Sequence, residues 1–423
     1  MRDTEVLVVG AGLAGLTCAL RLQDNGVDVR IVDAADAVGG RVRTDLVDGY
    51  LLDRGFQVLN PAYPRVRQDT DLDALDVRPF TAGVALRSAR TTDLQILADP
   101  RREPGLLTQT LRSGKLHPAS LAALTRWASP ALVSEWAIEN LTGEDVTRQE
   151  SMDQAGLIGP LRKIADRYLA GVLLEDDGST STAFTRLMVR KFVLGTPGLP
   201  KGGMQALPEH LASRLVRPVE LDTKVIGVSA GRVRTEGGEE ITADLVVLAT
   251  DPTSAAELVG AQVPEGKGVT THWFSAEQAP HDLRMMVLDA RDVHGPVLHT
   301  AVVSNVAPEY APAGKHLIEA SSLLPMNGSP VEDSDVRQHL AELYGTDVSS
   351  WELLRRDDVP YALPAQPAPY VPNRDMEIEP GLIVAGDWVD HASIQGAMAS
   401  GERAAQGWLH RLDGEISGSA TSA

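Results

Sequence analysis

Three stretches of this sequence predict an α/β fold: a discontinuous parallel-sheet domain with an α+β domain, antiparallel sheet plus helices, inserted into it. The first is Val6–Val9, which runs straight into Gly10-Ala11-Gly12-Leu13-Ala14-Gly15 and then an apolar stretch at helical spacing. The second is the continuous apolar run Leu245–Ala249, the pattern of a strand buried on both faces, ending in the helix start Thr250-Asp251-Pro252. The third is Gly381–Ala385, followed by Gly386-Asp387 and a long helix over Ser393–Leu412. A strand–turn–helix unit opens the chain, a buried strand returns mid-chain, and a strand–helix pair closes it. The economical reading is one Rossmann-like domain assembled from residues 1–75, 200–265 and 375–423, with 76–199 and 266–374 inserted.

Each element has its own warrant. In the first unit Gly10 permits the tight turn, Gly12 leaves the backbone open to a pyrophosphate, and Gly15 lets the helix approach the strand. Leu13 and Ala14 begin the helix, whose free N–H groups and dipole favour phosphate. Asp33 stands 18 residues after Gly15 at the end of the next strand, with Ala34 beside it, placed to accept from a ribose 2′-OH. An acid there disfavours a 2′-phosphate, so FAD or NAD is expected over NADP. Tyr50–Asn60 reads as a strand leading into a turn, and Val84–Leu97 as a β-hairpin. Ser120–Ser134 and Leu157–Leu174 carry apolar residues at i, i+3 and i+4, as amphipathic helices do. Strands return at Val219–Val228, Gly231–Thr235 and Ile241–Ala249, and again at Arg284–Asp289 and Leu298–Ser304. Val331–Leu343 reads as a helix. Pro360–Pro372 holds five prolines in thirteen residues and predicts an extended segment rather than strand or helix.

Composition excludes several classes. The chain has 423 residues and a net charge of −19, which argues against nucleic acid and anionic membrane surfaces as partners. No stretch reaches the about 18 apolar residues of a membrane span. The apolar N-terminal run lacks the basic region of a signal peptide, so a cytoplasmic protein acting on a small organic molecule is expected. The one cysteine, Cys18, rules out a disulfide or a thiolate metal cluster within the chain, and no metal site is expected.

With these motifs in place, the chain resembles the superfamily of FAD-dependent amine oxidases, protoporphyrinogen oxidases and phytoene desaturases. Gly10–Gly15, Asp33 and Gly39-Gly40-Arg41 are similar to its opening. Leu52-Asp53-Arg54-Gly55-Phe56-Gln57 resembles its segment along the flavin ring, and Leu199–Leu207 its Pro-x-Gly-Gly-Met element. Thr223-Lys224-Val225 resembles the strand whose backbone meets the adenine. Gly386-Asp387 and Ser393-Ile394-Gln395-Gly396-Ala397-Met398 resemble its C-terminal flavin motif. The resemblance implies non-covalent FAD, since Cys18 cannot supply the thioether near the C-terminus that monoamine oxidases use. Arg41 would offset pyrophosphate charge. Asp387 would accept from ribityl hydroxyls, and the helix after Ser393 would direct its dipole at the flavin.

The branch of the family is read from departures. Gly268–Phe274, the strand that faces flavin N5 in amine oxidases, lacks their lysine, Lys267 lying just before it. Ser393 stands where one cage tyrosine would fall. Ala392–Gly401 resembles the plant-type carotenoid desaturase ending. Hydride transfer from an organic substrate to flavin N5, at a carbon–carbon bond, is therefore favoured. No second G-x-G-x-x-G follows a strand, so reoxidation by oxygen or another acceptor is expected. Amine oxidation, a non-redox flavoprotein isomerase and a flavin-binding module without turnover stay open as alternatives. No acid–base residue stands out. Gln57, Tyr361, Trp388 and His391 are candidates for the substrate face, with His272 and His299 behind them. Gln57 is expected to position rather than react.

Overall fold

The computed structural model describes residues 2–89, 91, 93–132, 134, 138, 145–325 and 328–420. β1 (Thr4–Val9), α1 (Leu13–Asp24) and β2 (Val29–Val32) open the chain, followed by β3 (Thr44–Val47) and β4 (Tyr50–Asp53). β5 (Val77–Pro79), β6 (Gly83–Arg87) and β7 (Gln95–Ala98) precede a helical run that includes Pro118–Ala128, Arg148–Gln154, Gly159–Leu173 and Thr182–Leu194. Next come β8 (Gly198–Pro200), β9 (Val225–Ser229), β10 (Arg232–Thr235), β11 (Glu240–Leu248) and the helix Pro252–Val259. β12 (Gly266–Ala276), β13 (Met286–Asp289), β14 (Val297–Val302), β15 (His316–Leu324), the helix Asp333–Tyr344 and β16 (Glu352–Pro364) follow. β17 (Glu377–Glu379), β18 (Leu382–Val384) and the helix Ile394–Ala420 complete the described chain.

Two seven-stranded sheets organise these elements. The first has the order β17-β18-β11-β1-β2, with β10 and β9 continuing from β11. Its centre is parallel: Val8 lies beside Val247 on one side and Ile31 on the other, and β18 pairs parallel to β11. Val6, Leu7, Val8, Val246, Val247 and Leu248 are fully buried, as an unbroken β-branched and leucine run requires when helices cover both faces. Two glycines set the helix spacing. A Cβ on Gly15 would lie 2.0 Å from the Gly10 carbonyl oxygen, and one on Gly401 would lie 2.1 Å from that of Ala14. The C-terminal helix therefore packs against α1, while Cys18, fully buried on α1, stays a thiol with burial pushing its pKa up to about 12.

The second sheet has the order β16-β12-β15-β14-β13-β6-β7. The sheet is antiparallel, as expected, apart from one pairing, in which β6 and β13 run parallel. They are joined by no hairpin, so no turn forces them antiparallel. A correction concerns Pro360–Pro372, whose first residues are strand: β16 continues to Pro364. β16 is an edge strand, and its register against β12 shifts between Lys267 and Val269, next to Pro360. A proline without an N–H is tolerated at such a place. Among the described residues no helix is long and apolar enough to cross a membrane.

Candidate flavin and substrate site

The carboxyl ends of four parallel strands converge on one cavity of about 830 Å³. Gly10 follows β1, Asp33 follows β2, Ala249–Asp251 follow β11 and Gly386-Asp387 follow β18, and all of them line it. This is where an open parallel sheet places a ligand, because helix N-termini and strand-end turns leave backbone donors unpaired there.

The turn after β1 fits a nucleotide diphosphate. Gly12 is the N-cap of α1 with extended backbone and no side-chain cap. A Cβ built on it would meet nothing within 4 Å, so its backbone faces open cavity. Gly40 approaches it from the other side, a Cβ there lying 3.5 Å from the Gly12 Cα. Gly39 has φ +120°, and a Cβ on it would lie 2.3 Å from the Val42 carbonyl oxygen. Leu13 and Ala14 line the same opening. The Asp33 carboxylate is fixed by two backbone amides, Ala11 N at 2.6 Å and Ala35 N at 2.8 Å. Ala34, Lys224 and Val225 extend this end of the cavity.

The middle of the cavity joins distant parts of the chain. Arg41 donates to Asp387 Oδ1 at 2.5 Å and to the Ala362 carbonyl at 2.7 Å. The two residues expected to meet the pyrophosphate and the ribityl chain separately are thus paired with each other. Gly55, Phe56 and Gln57 line this region. The Gln57 amide donates to the Arg41 carbonyl at 2.8 Å, which holds the Arg41 backbone in place. Ser393, Ile394 and Ala397 bring the start of the C-terminal helix to the cavity wall. Ser393 Oγ accepts from Gly396 N at 3.1 Å, and lies 2.9 Å from His391 Nδ1.

The far wall comes from the second sheet and the helices Gly159–Leu173 and Thr182–Leu194. Tyr168, Val172, Met188, Phe192, Met286 and Leu288 line it together with His299 and Ser321, and its polar side-chain groups are the Tyr168 phenol, the His299 imidazole and the Ser321 hydroxyl. No Asp, Glu, Lys or Arg from these elements reaches the cavity among the described residues. Tyr63 stands between the two halves, its phenol pushed up to about 12 by burial.

Several residues expected at the site lie elsewhere. Gly15 is spent on helix packing rather than on the cavity. Gln395 turns away to accept from Arg65 N at 2.8 Å. Tyr361 donates to the Pro264 carbonyl at 2.7 Å, its ring filling the space above Gly266. Trp388 is packed with Val246 and Leu248 behind the first sheet. His391 does not line the cavity; burial and the nearby Lys191 push its imidazole down to about 3, so it is a neutral partner for the Ser393 hydroxyl. His272 points to the opposite face of β12 and meets Asp333 at 3.0 Å. Conversely Tyr63, Tyr168, Met188, Phe192 and Ser321 belong to the wall without any motif to announce them. Glu319, which supports His299, carried a signal: it is a lone acid in the otherwise uncharged core of β15.

Comparison with known proteins agrees with this geometry. The model of the flavin-containing amine oxidoreductase family matches residues 13–407. The chain belongs to that family. This flavin-dependent oxidoreductase is 51% identical over 294 residues to hydroxyneurosporene desaturase of Rubrivivax gelatinosus, a stretch covering 61% of this chain and 55% of that protein. It is 27% identical over 451 residues to hydroxysqualene dehydroxylase of Rhodopseudomonas palustris, covering 95% of this chain and 97% of the relative. The chain thus spans about half the length of the desaturase it matches and nearly all of the dehydroxylase. The crystal structure of an oxidoreductase from Methanosarcina mazei shares the fold of this flavin oxidoreductase, with TM-score 0.71 at 17% identity over 94% of this chain and 99% of that one.

Proposed function

We propose that this chain binds FAD non-covalently and dehydrogenates a carbon–carbon bond in an uncharged, largely apolar substrate, the reduced cofactor being reoxidised by oxygen or another acceptor. The observation that carries this reading is the far wall: hydrocarbon and aromatic side chains, three polar groups that carry no permanent charge (Tyr168, His299 and Ser321) and no carboxylate. An amine arrives as a cation, and no carboxylate at the surface of this wall receives it directly, so its transfer there is costly. An apolar chain gains about 25 cal/mol for each Å² it buries there. Lys267, the lysine beside the expected strand, falls before the segment of β12 that borders the cavity at Val269. The relative named as a desaturase supports the same class.

Within this reading Gly12, Leu13 and Ala14 face the diphosphate, Asp33 takes the ribose, Val225 borders the adenine, and Arg41 with Asp387 spans the middle of the cofactor. Residues 1–75, 200–265 and 375–423 serve the cofactor, and 76–199 with 266–374 serve the substrate. The flavin supplies the hydride acceptor when bound. Gly55, Phe56 and Gln57 fix the cofactor side of the substrate slot, and the far wall excludes water and aligns the reacting carbon. The thiol of Cys18, buried in α1, is out of reach of any thioether link.

The reading is tested by mixing FAD-loaded protein anaerobically with matched panels of polyenes and primary, secondary and polyamines. Loss of the oxidised flavin absorbance is expected with polyenes alone. Reduction by amines and by no polyene would overturn it.

A further inference from the structure

Three adjacent strands of the second sheet carry a directed chain of hydrogen bonds beside the cavity. The Phe56 backbone N–H donates to Thr271 Oγ1 at 3.1 Å. Thr271 Oγ1 lies 3.1 Å from Ser321 Oγ, and Ser321 donates onward to Glu319 Oε2 at 3.0 Å. Because Ser321 spends its proton on the carboxylate, Thr271 must be the donor in the pair between them. On the other side His299 Nδ1 lies 3.2 Å from Glu319 Oε1. The chain through Thr271 and Ser321 thus runs towards Glu319. With Glu319 accepting from the ring as it does from Ser321, the His299 proton sits on Nδ1 and the lone pair on Nε2.

The imidazole edge that carries Nε2 lies beside Gly171, which lines the cavity together with His299. His299 lines the cavity, while Glu319 is fully buried behind it. Among the described residues Nε2 has no hydrogen-bond partner and Glu319 has no Lys or Arg partner. The Phe56 ring, from the segment at the cofactor side, sits 5.5 Å from the imidazole. Gly171 keeps the edge clear, since a Cβ there would lie 2.5 Å from His299 Cδ2 and 3.2 Å from Nε2. A buried carboxylate without a permanent cation is costly. The hydrogen bonds from Ser321 and His299 offset that cost in the resting fold, and a proton gained by the imidazole would add a counter-charge.

We propose that His299 Nε2 is the base that takes the proton a substrate gives up as its hydride leaves, and that Glu319 orients the imidazole and stabilises its protonated form. The inference rests on the proposed function for its acceptor and its occupied cavity. One C–H bond breaks and both its electrons pass to the flavin. The neighbouring C–H bond breaks, its electron pair becomes the new π bond, and its proton forms an N–H bond on Nε2. The substrate is oxidised by two electrons and the flavin reduced by two. His299 is the catalytic residue, and Glu319, Ser321 and Thr271 are positioning residues.

The test has two arms. In the first, protein labelled with ¹⁵N-histidine is studied by NMR, with the His299 signals assigned by their loss in His299→Gln. A protonated Nδ1 and a bare Nε2 are expected, with that preference weakened in Glu319→Gln; a proton on Nε2 in the unaltered protein would overturn the proposal. In the second, anaerobic flavin reduction is timed with whichever compound reduces the flavin. His299→Gln is expected to slow it about 10²–10⁴-fold with flavin content and half-saturating substrate little changed, and Glu319→Gln to slow it at least tenfold. Rates within threefold of the unaltered protein in both variants would overturn it, and Glu319→Gln alone decides this arm if His299→Gln does not fold. The first arm needs no substrate. Failure of every polyene to reduce the flavin therefore overturns the proposed function while leaving the tautomer result to decide on His299.

Discussion

Gly12→Ala and Gly15→Ala, three residues apart on one turn, are expected to damage different properties. At Gly12 the added Cβ meets no protein atom within 4 Å, and its φ of −72° suits any residue. The protein itself then loses only the N-cap preference of glycine over alanine, about 1 kcal/mol or less, and its apo melting temperature should fall by about 2 °C or less. The same methyl group enters the space that a diphosphate would occupy against the helix N-terminus. Losing one or two charge-assisted hydrogen bonds there costs about 3–5 kcal/mol, which weakens FAD binding about 10²–10⁴-fold. At Gly15 the Cβ would stand 2.0 Å from the Gly10 carbonyl oxygen and 3.1 Å from Val8 Cγ1. α1 must move off β1, an overpacking cost of about 1–3 kcal/mol, and apo melting should fall several degrees. Melting of apo-protein by intrinsic fluorescence and FAD titration by flavin quenching read the two properties separately. If Gly12→Ala binds FAD within threefold of the unaltered protein, the assignment of this turn to the cofactor is wrong.

Other perturbations follow from buried charge. Asp53 is fully buried, and desolvation raises its carboxyl to about 6 despite hydrogen bonds from Thr44, Met204 N and Tyr310. The unfolded chain releases that proton near the ordinary 3.8, so stability present at low pH is lost as pH rises through about 6. The loss amounts to about 3 kcal/mol. Asp53→Asn should remove it, and urea midpoints at pH 4.5 and 7.5 should show the variant gaining on the unaltered protein at the higher pH; a pH-independent difference contradicts this. Arg41→Met leaves the buried Asp387 unpaired and should destabilise the protein by about 3 kcal/mol, while Arg41→Met with Asp387→Asn recovers stability but not flavin affinity, read by the same melts and titrations. Gly171→Ala should displace the His299 ring and slow substrate-dependent flavin reduction at least tenfold with flavin content unchanged, measured by anaerobic stopped flow.

The uneven legibility of the two halves of the cavity has a physical cause. On the side proposed for the nucleotide, the residues sit in turns whose backbone geometry restricts the residue type. Gly39 at φ +120° and Gly12 before a helix are visible in sequence because a side chain would clash with the chain or the ligand. Asp33 is visible because it must end a strand at a set distance from that turn. Closeness along the chain misled where backbone direction decided the matter. Trp388 follows Asp387 directly, yet in the short turn Asp387–Val389 the first side chain faces Arg41 and the next faces the back of the sheet. Tyr361 lies next to Ala362 and Leu363, which line the cavity, but its ring packs over Gly266 and its hydroxyl is tied to the Pro264 carbonyl.

The substrate side obeys no such local rule. His299, Ser321 and Thr271 come together through the cross-strand register of β14, β15 and β12, in which Ser321 lies opposite both His299 and Thr271. Register between strands this far apart in sequence is set by the whole sheet, and a one-residue slip would turn each of these side chains to the other face. The lone acid Glu319 in β15 is the one trace of the arrangement that a single sequence carries. A carboxylate in the middle of a strand buried on both faces must have a proton-bearing partner, and the register supplies His299. In the proposed site the half assigned to the cofactor is thus specified by turn geometry and the half assigned to the substrate by register.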